Sequence, residues 1–449
     1  VLPAVLERLA MCRKQAKKNM NKFEQMGYDA PLVQLHLTSE EGGVKVTFSY
    51  PTLADEYHFK SSVFNAQQLA LKVQMNSMYG TLGVRKHGLQ PCLPLAALTT
   101  GLGRQLIETT KNFFEAKLPG SRVIYGDTDS VMWLPFSSEA DEKTDIKELL
   151  QKSFDVGKET CEEIKRDVFR RDFADTQIDL EFENVFCPYL LVGKKNYSAL
   201  VWDDTFGVTK PKKVLNKGFR CVRRDVDAFT RQSQIDVLKK VHERDVPAAE
   251  RVAVQKVKTL LGGGVKAVDL SLSKKVNSSY LSNIERLDGT KTKVRVTPHG
   301  KWKSVDDETV RGNCVVVGGK PWVALDDKGK KVGTLTLAQP HVHVLHLIRE
   351  RGGDEPKIGD RVPFVFVKKA KAQLQIEQAE DPAHVDEAGL EVDSLHYFEH
   401  ALRNALSHVL DTIKPNSYER LMRAEHTSAK NKRKGLREIT GFFKKIKKN

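Results

Sequence analysis

Apolar residues open the chain at three- and four-residue spacing, Leu2, Val5, Leu6 and Leu9, followed by Arg13, Lys14, Lys17, Lys18 and Lys22. This period predicts an amphipathic, cationic helix over 1–27. Across 28–60 it is lost. Gly, Pro and alternating runs such as Val44-Lys45-Val46-Thr47-Phe48 predict a loop with a small hairpin, and helical period returns from about Gln67. Residues 83–225 mix both periods. Gly101–Phe114 and 148–171 read as helices. Val123-Ile124-Tyr125 and Ser130-Val131-Met132-Trp133 flank Gly126-Asp127-Thr128-Asp129 as a hairpin, and Leu190–Val201 reads as one strand. Residues 226–425 are helical at both ends. Between about 281 and 338 the pattern turns to short strands and turns, an inserted β module.

Composition narrows the classes. The 449 residues are 40% hydrophobic and 29% charged, which excludes a collagenous or mostly disordered chain. No apolar stretch reaches the roughly 18–20 residues of a membrane-crossing helix, so no membrane partner is expected. Six scattered cysteines lack zinc-site spacing and predict reduced thiols rather than a disulfide framework. The formal charge of +15 points to a polyanionic partner. Nine Lys or Arg against one Glu lie in 428–449, so more than half of that charge sits in a basic tail. The Val1-Leu2-Pro3 start leads us to expect a fragment of a longer chain.

Three clusters carry candidate chemistry. In Tyr125-Gly126-Asp127-Thr128-Asp129-Ser130, residues two apart in a strand or hairpin tip point the same way, so Asp127 and Asp129 can converge. Paired carboxylates repel unless a cation joins them, and oxygen ligands suit Mg²⁺; the alternative is a solvated acidic turn. In Lys72-Val73-Gln74-Met75-Asn76-Ser77-Met78-Tyr79-Gly80, Lys72, Asn76 and Tyr79 share one helix face. A cation, an amide and a ring so aligned suit a nucleotide, or simply water. Arg13 and Lys17, four apart, repel each other mildly unless a triphosphate bridges them. Two other signals carry less. Gly101-Leu102-Gly103 lacks the third glycine of a dinucleotide fingerprint. His341, His343 and His346 read as strand and surface histidines rather than a metal cluster.

In this order the blocks resemble the C-terminal half of a family B DNA polymerase, nearest to the eukaryotic delta type and large-DNA-virus enzymes. Leu2–Lys17 resembles its first fingers helix, Lys72–Gly80 its KxxxNSxYG motif, Tyr125–Ser130 its YGDTDS palm motif, and Lys194-Lys195-Asn196-Tyr197 its KKxY motif. Leu180-Glu181-Phe182-Glu183, Lys217-Gly218, Arg223-Arg224-Asp225, Pro340-His341-Val342, Gly359–Pro363 and Glu380-Asp381-Pro382 resemble further segments. The resemblance implies an α+β fold of fingers helices, a partial palm sheet and a mainly helical thumb with a β-rich insertion. Its domains would be fingers 1–82, palm 83–225, thumb 226–425 and a tail 426–449, with a fingers-tip insertion near 28–60 and a thumb insertion near 281–338.

The resemblance also implies roles. Asp129, supported by Asp127, would bind Mg²⁺, two ions being expected. Arg13, Lys17, Lys72 and Asn76 would bind the dNTP triphosphate, and Tyr79 would check the nascent base pair. Lys194, Lys195, Tyr197, Arg223 and Arg224 would hold primer–template DNA; Glu181 and Glu183 lie close in the family. The activity would be DNA-directed nucleotidyl transfer in a nucleus or viral replication site, an intracellular, reducing setting. One motif is missing. The family's DxxSLYPS segment, with its other metal-binding Asp, is not found, and Ser49-Tyr50-Pro51-Thr52 is a faint echo without the Asp. One metal ligand set is therefore incomplete. The chain is expected to be inactive alone and to need the polymerase's missing N-terminal half as partner. The alternative is a catalytically silent DNA-binding or clamp-tethering relic. Ile439, Phe442 and Phe443 in Leu436–Phe443 resemble a sliding-clamp box with Leu436 in place of Gln; with Ile446 they also fit an amphipathic helix.

Overall fold

The computed structural model describes residues 2–29, 36–41, 44–49, 53–84, 91–136, 145–173, 178–204, 206–307, 309–315, 322–335, 339–369 and 375–419. The chain divides into two units, residues 1–185 with 202–212, and residues 186–201 with 213–449. Among the described residues no helix is long and apolar enough to cross a membrane.

In the first unit, α1 (Leu2–Asp29) packs against α2 (Leu53–Leu82). The seam on α2 runs through Tyr57, Ser61, Phe64, Gln68, Leu71, Met75, Met78 and Leu82, the partly buried positions at alternating steps of three and four. Phe23 stacks on Phe64 at 5.7 Å, and the Ser61 hydroxyl donates to the Met20 carbonyl at 3.2 Å. Between the helices, β1 (His36–Glu41) and β2 (Val44–Ser49) pair antiparallel. The expected hairpin is present, but the helix that follows starts at Leu53, not near Gln67. Ser61 and Gln68 interrupt the apolar stripe and hide its period.

α3 (Leu93–Lys117) packs against α2 and against both strands of the hairpin β3 (Arg122–Asp127) and β4 (Ser130–Leu134). A further helix, Ile146–Ile164, closes this core with Phe114, Cys161, Ile164 and Phe169 buried. Its N-cap Asp145 accepts from the Lys147 N–H.

In the second unit, β5 (Val185–Gly193), β6 (Asn196–Trp202) and β7 (Lys213–Lys217) form a sheet in that order. The stretch expected as one strand, Leu190–Val201, is thus a hairpin that turns at Lys194-Lys195, where Lys195 takes φ 57°. The helices Ala228–His242, Val246–Leu261 and Arg403–Ile413 surround a core that includes Phe219, Val237, Leu260, Phe364, Tyr397, Phe398 and Leu406. β8 (Leu272–Lys275) and β15 (Arg361–Phe366) pair on this core.

The predicted β module is a closed barrel. Strands β9 (Tyr280–Arg286), β10 (Lys291–Val296), β11 (Lys301–Ser304), β12 (Arg311–Val315), β13 (Trp322–Asp326) and β14 (Lys331–Leu335) follow one another, and β14 pairs back on β9, all antiparallel. Alternate residues fill its interior: Tyr280, Ile284, Val294, Val296, Trp302, Trp322, Ala324 and Leu335. The helix Pro340–Glu350 joins barrel and body, with Val342 in the barrel core and Val344 and Leu345 in the main one. His341, His343 and His346 lie on this helix and are buried, not on a strand or the surface. His341 meets the Tyr280 hydroxyl at 2.9 Å, and His346 meets Trp322 edge-on at 4.6 Å. Burial pushes the His341 and His343 imidazoles down to about 4, so they are neutral packing groups.

Candidate active site and nucleic-acid contacts

The hairpin tip is held from behind. Val123 and Trp133 join the core around Phe114, whose ring meets Trp133 edge-on at 5.0 Å. The register pairs Asp127 with Ser130, so Thr128 and Asp129 form the entire connection. The Asp129 N–H donates to the Asp127 carbonyl at 2.7 Å across Thr128, which takes φ 60°. A β-branched residue there is strained, by about 1–2 kcal/mol. The Ser130 hydroxyl donates to the same carbonyl, and the Thr128 hydroxyl donates to the Asp127 carboxylate, both at 3.2 Å. Asp127 ends half-buried and Asp129 exposed. Strand alternation is therefore not what relates the two carboxylates: Asp129 sits in the turn itself.

A second acidic segment lies in the same unit. In Leu180–Glu183, Leu180 and Phe182 turn inward while Glu181 and Glu183 are exposed. Phe182 presses on the helix at Gly157, where a Cβ would stand 2.4 Å from its ring. Only glycine admits that approach. Glu181 then meets Lys17 of α1 at 3.0 Å, both about half exposed. Arg13, one turn earlier on the same partly buried stripe, has a buried Nε without a hydrogen-bond partner among the described residues. Further along α1, Glu24 reaches Lys212 at 3.4 Å, and Asp203 reaches it at 2.8 Å. Burial alone would lower the Lys212 pKa, but the two carboxylates outweigh it and raise it.

Lys72, Asn76 and Tyr79 lie along one exposed flank of α2, while Met75 and Met78 turn into the seam. Tyr79 is 40% exposed although aromatic.

In the second unit, Lys194 and Lys195 are exposed at the β5–β6 turn. Tyr197 is buried beside Phe186 and Tyr189, with ring centroids at 6.3 and 5.7 Å. Its ring packs against those two and is largely buried. Gly218, at φ 74°, closes on the same turn: a Cβ there would stand 2.4 Å from the Lys195 carbonyl oxygen. Arg223 makes a two-pronged bond to Asp225 at 2.9 and 2.6 Å, which raises its pKa, and Arg224 is exposed. Arg223 also lines an open groove of about 730 Å³ with Arg220, Asn404, Ser407 and His408. Sequence reasoning missed these four. Asn404, Ser407, His408 and Asp411 recur at helical spacing, a signal that was present but had no partner motif. Burial, reinforced by the like charge of Arg223, lowers the Arg220 pKa, against the opposing pull of Asp225 and Asp227.

Asp127 and Asp129 fit Mg²⁺ in donor type. The ion takes one or two protein carboxylates and completes its shell with water and substrate phosphates. Among the described residues no group of three or more His, Cys, Asp or Glu stands ready to hold an ion unaided. Ile439, Phe442 and Phe443 lie outside the described residues.

The family model "DNA polymerase family B" matches residues 52–292 and 329–413. A "DNA polymerase" of Paramecium bursaria Chlorella virus NY2A is 29% identical over 99% of this chain and 40% of its own length. A "DNA polymerase delta catalytic subunit" of Plasmodium falciparum is 31% identical over 93% of this chain and 31% of its own. The solved family B DNA polymerase from Pyrobaculum calidifontis is 18% identical with a TM-score of 0.45, over 91% of this chain and 37% of that one. The chain thus spans 40% or less of the lengths of these proteins. With most of its residues inside the family match, the strained aspartate turn and the Lys72–Tyr79 flank among them, the chain belongs to DNA polymerase family B.

Proposed function

We propose that this chain supplies the fingers, the C-terminal part of the palm and the thumb of a template-directed DNA polymerase that transfers nucleotides from dNTPs to a primer 3′-hydroxyl. The observation that carries this reading is the aspartate turn. A β-branched residue held at φ 60° keeps Asp129 exposed beside a half-buried Asp127, and such strain persists where the surroundings enforce it for a purpose. Asp127 and Asp129 would hold Mg²⁺, which when bound activates the attacking oxygen and offsets charge on the leaving pyrophosphate. Arg13, Lys17 and Lys72 bind the triphosphate oxygens, Asn76 orients them, and Tyr79 meets the base pair from the exposed flank of α2. Lys17 also pairs with Glu181. Lys194 and Lys195 grip phosphates of the primer strand over the Tyr197 cluster, with Arg223 and Arg224 beside them. Duplex binding by such contacts is sequence-tolerant and weakens steeply with salt.

The family's DxxSLYPS segment is not found in this sequence, so the test joins the chain to a segment carrying that motif. The joined protein is expected to extend a primer. Asp129→Ala should lower the rate by on the order of 10²–10³ while leaving duplex binding in place. Equal extension by Asp129→Ala would remove the metal assignment. Duplex binding without extension by the joined protein would favour the silent relic. Loss of clamp capture on Phe442→Ala and Phe443→Ala tests the tail motif.

A further inference from the structure

Arg13, Lys17 and Glu24 lie on one flank of α1, since steps of four and eleven residues rotate by about 40° and 20° at ~100° per residue. Two ion pairs join this flank to the rest of its unit. Lys17 meets Glu181 at 3.0 Å, and Glu24 meets Lys212 at 3.4 Å. At 1.5 Å of rise per residue the two contacts stand about 10 Å apart along the helix. They are unlike. The first pair is about half exposed, and a pair so solvated contributes little. In the second, Lys212 and Glu24 are only 23% and 24% exposed, and Asp203, 14% exposed, holds the same ammonium at 2.8 Å. Removing one partner there strands a partly desolvated charge. The groups that face α1 are set by one turn of the helix Ile146–Ile164. Phe182, beside Glu181, packs at Gly157. The next residue, Lys158, meets Asp204, the neighbour of Asp203, at 2.6 Å. The signs alternate as well: a cation and then an anion on α1 face an anion and then a cation. A slide of α1 by two turns would set Lys17 against Lys212, so the pattern specifies one position along the axis.

We infer that Lys212 is a positioning residue for the triphosphate site: it holds α1 at Glu24 while Arg13 and Lys17, on the same flank, take the substrate. Lys212 touches no nucleotide in this scheme and acts through Glu24. The shielded contact persists when Lys17 turns from Glu181 to a phosphate, and the helix keeps its place along its axis. Cations on a helix held in this way lose less freedom on binding, so the substrate binds more tightly. The inference rests on the reading of Arg13 and Lys17 as triphosphate ligands. The anchoring of α1 by Lys212 can be measured without it.

The test has two arms. In the joined polymerase, Lys212→Gln and Glu24→Gln should each raise KM for the dNTP by about two- to fivefold, the range that one ion pair supplies, while kcat stays within about twofold. The double variant should match either single one, because each change removes the same contact. Lys212→Arg keeps the charge and should keep KM near that of the parent. In the full chain by itself, hydrogen exchange of the α1 amides around Glu24 should quicken by a similar factor in both glutamine variants. Amides of the core around Phe398 should exchange as before, which separates loss of the anchor from general destabilisation. A KM unmoved or lowered by Lys212→Gln, additive effects in the double variant, or Lys212→Arg as impaired as Lys212→Gln would overturn the inference. So would unchanged exchange around Glu24. Should the joined protein extend no primer, the catalytic reading fails, and the exchange arm still decides whether Lys212 anchors α1.

Discussion

The α1–α2 pair and the pair Ala228–His242 with Val246–Leu261 are both two-helix packings, built in opposite ways. Along α1 and α2 only Ala16, Gly27 and Ala54 are fully buried among side chains the structure describes. The second pair buries Val237, Leu238, Ala249, Ala253, Val257 and Leu260 almost completely over roughly half the length. An element held by one thin seam adds little to cooperative stability and opens at low cost, whereas one inside a core moves only with the core. The side chains proposed to receive the nucleotide lie on the thin pair, as expected of a lid that closes on substrate. The second pair is part of a buried core.

That contrast is testable through stability. Phe398→Ala empties a fully buried site in the second unit and should cost about 3–5 kcal/mol. Phe64→Ala, half-buried and stacked on Phe23, should cost about 1 kcal/mol. Urea unfolding of both variants measures the difference, and equal losses would break the comparison.

Acid should separate the regions next. His341 and His343 are held neutral, first by burial and then by Lys274 and Lys369 nearby. Their folded values near 4 lie below the unfolded value of about 6.5. Below pH 6.5 the unfolded chain therefore binds protons that the folded chain refuses. Stability present above that pH drains away toward pH 4, by up to about 3 kcal/mol for each histidine. His341→Gln should remove its share of the slope. The α1–α2 pair holds no buried histidine among the described residues.

The parts legible in the sequence are those where chemistry and period coincide. Lys72, Asn76 and Tyr79 share a flank because 3.6-residue geometry leaves no choice, and the alternation of β9–β14 announces a half-buried sheet. Closure of that sheet into a barrel depends on β14 meeting β9, a long-range pairing that local pattern does not encode. The turn at Lys194-Lys195 was invisible because Lys195 adopts a left-handed conformation without the usual Gly or Asn. The histidine helix was misread although Pro340 stands in its first turn. The groove beside Arg220 is made by segments nearly two hundred residues apart and exists only in the fold.

Gly218 lies in the second unit. Gly218→Ala forces a Cβ against the Lys195 carbonyl at an unfavourable φ, at about 1–3 kcal/mol. Because the strain lands on the turn that carries Lys194 and Lys195, duplex affinity should fall by about tenfold, while nucleotide affinity should not move. A loss of stability without any loss of duplex binding would detach that turn from DNA.

The last test concerns the contact between α1 and the Leu180–Glu183 segment. Lys17 and Glu181 form a half-exposed ion pair at 3.0 Å, and pairs of this kind contribute about 0–1 kcal/mol. Glu181→Gln should therefore leave the unfolding midpoint nearly unchanged. If Lys17 leaves Glu181 to receive a triphosphate, removing the carboxylate abolishes that competition. KM for the dNTP should fall by about two- to fivefold in the joined polymerase, the factor that up to 1 kcal/mol supplies. Lys17→Gln should raise it. A purely structural pair would give the reverse pattern, a shifted midpoint with KM untouched, and α1 would then be a strut and not part of a closing lid.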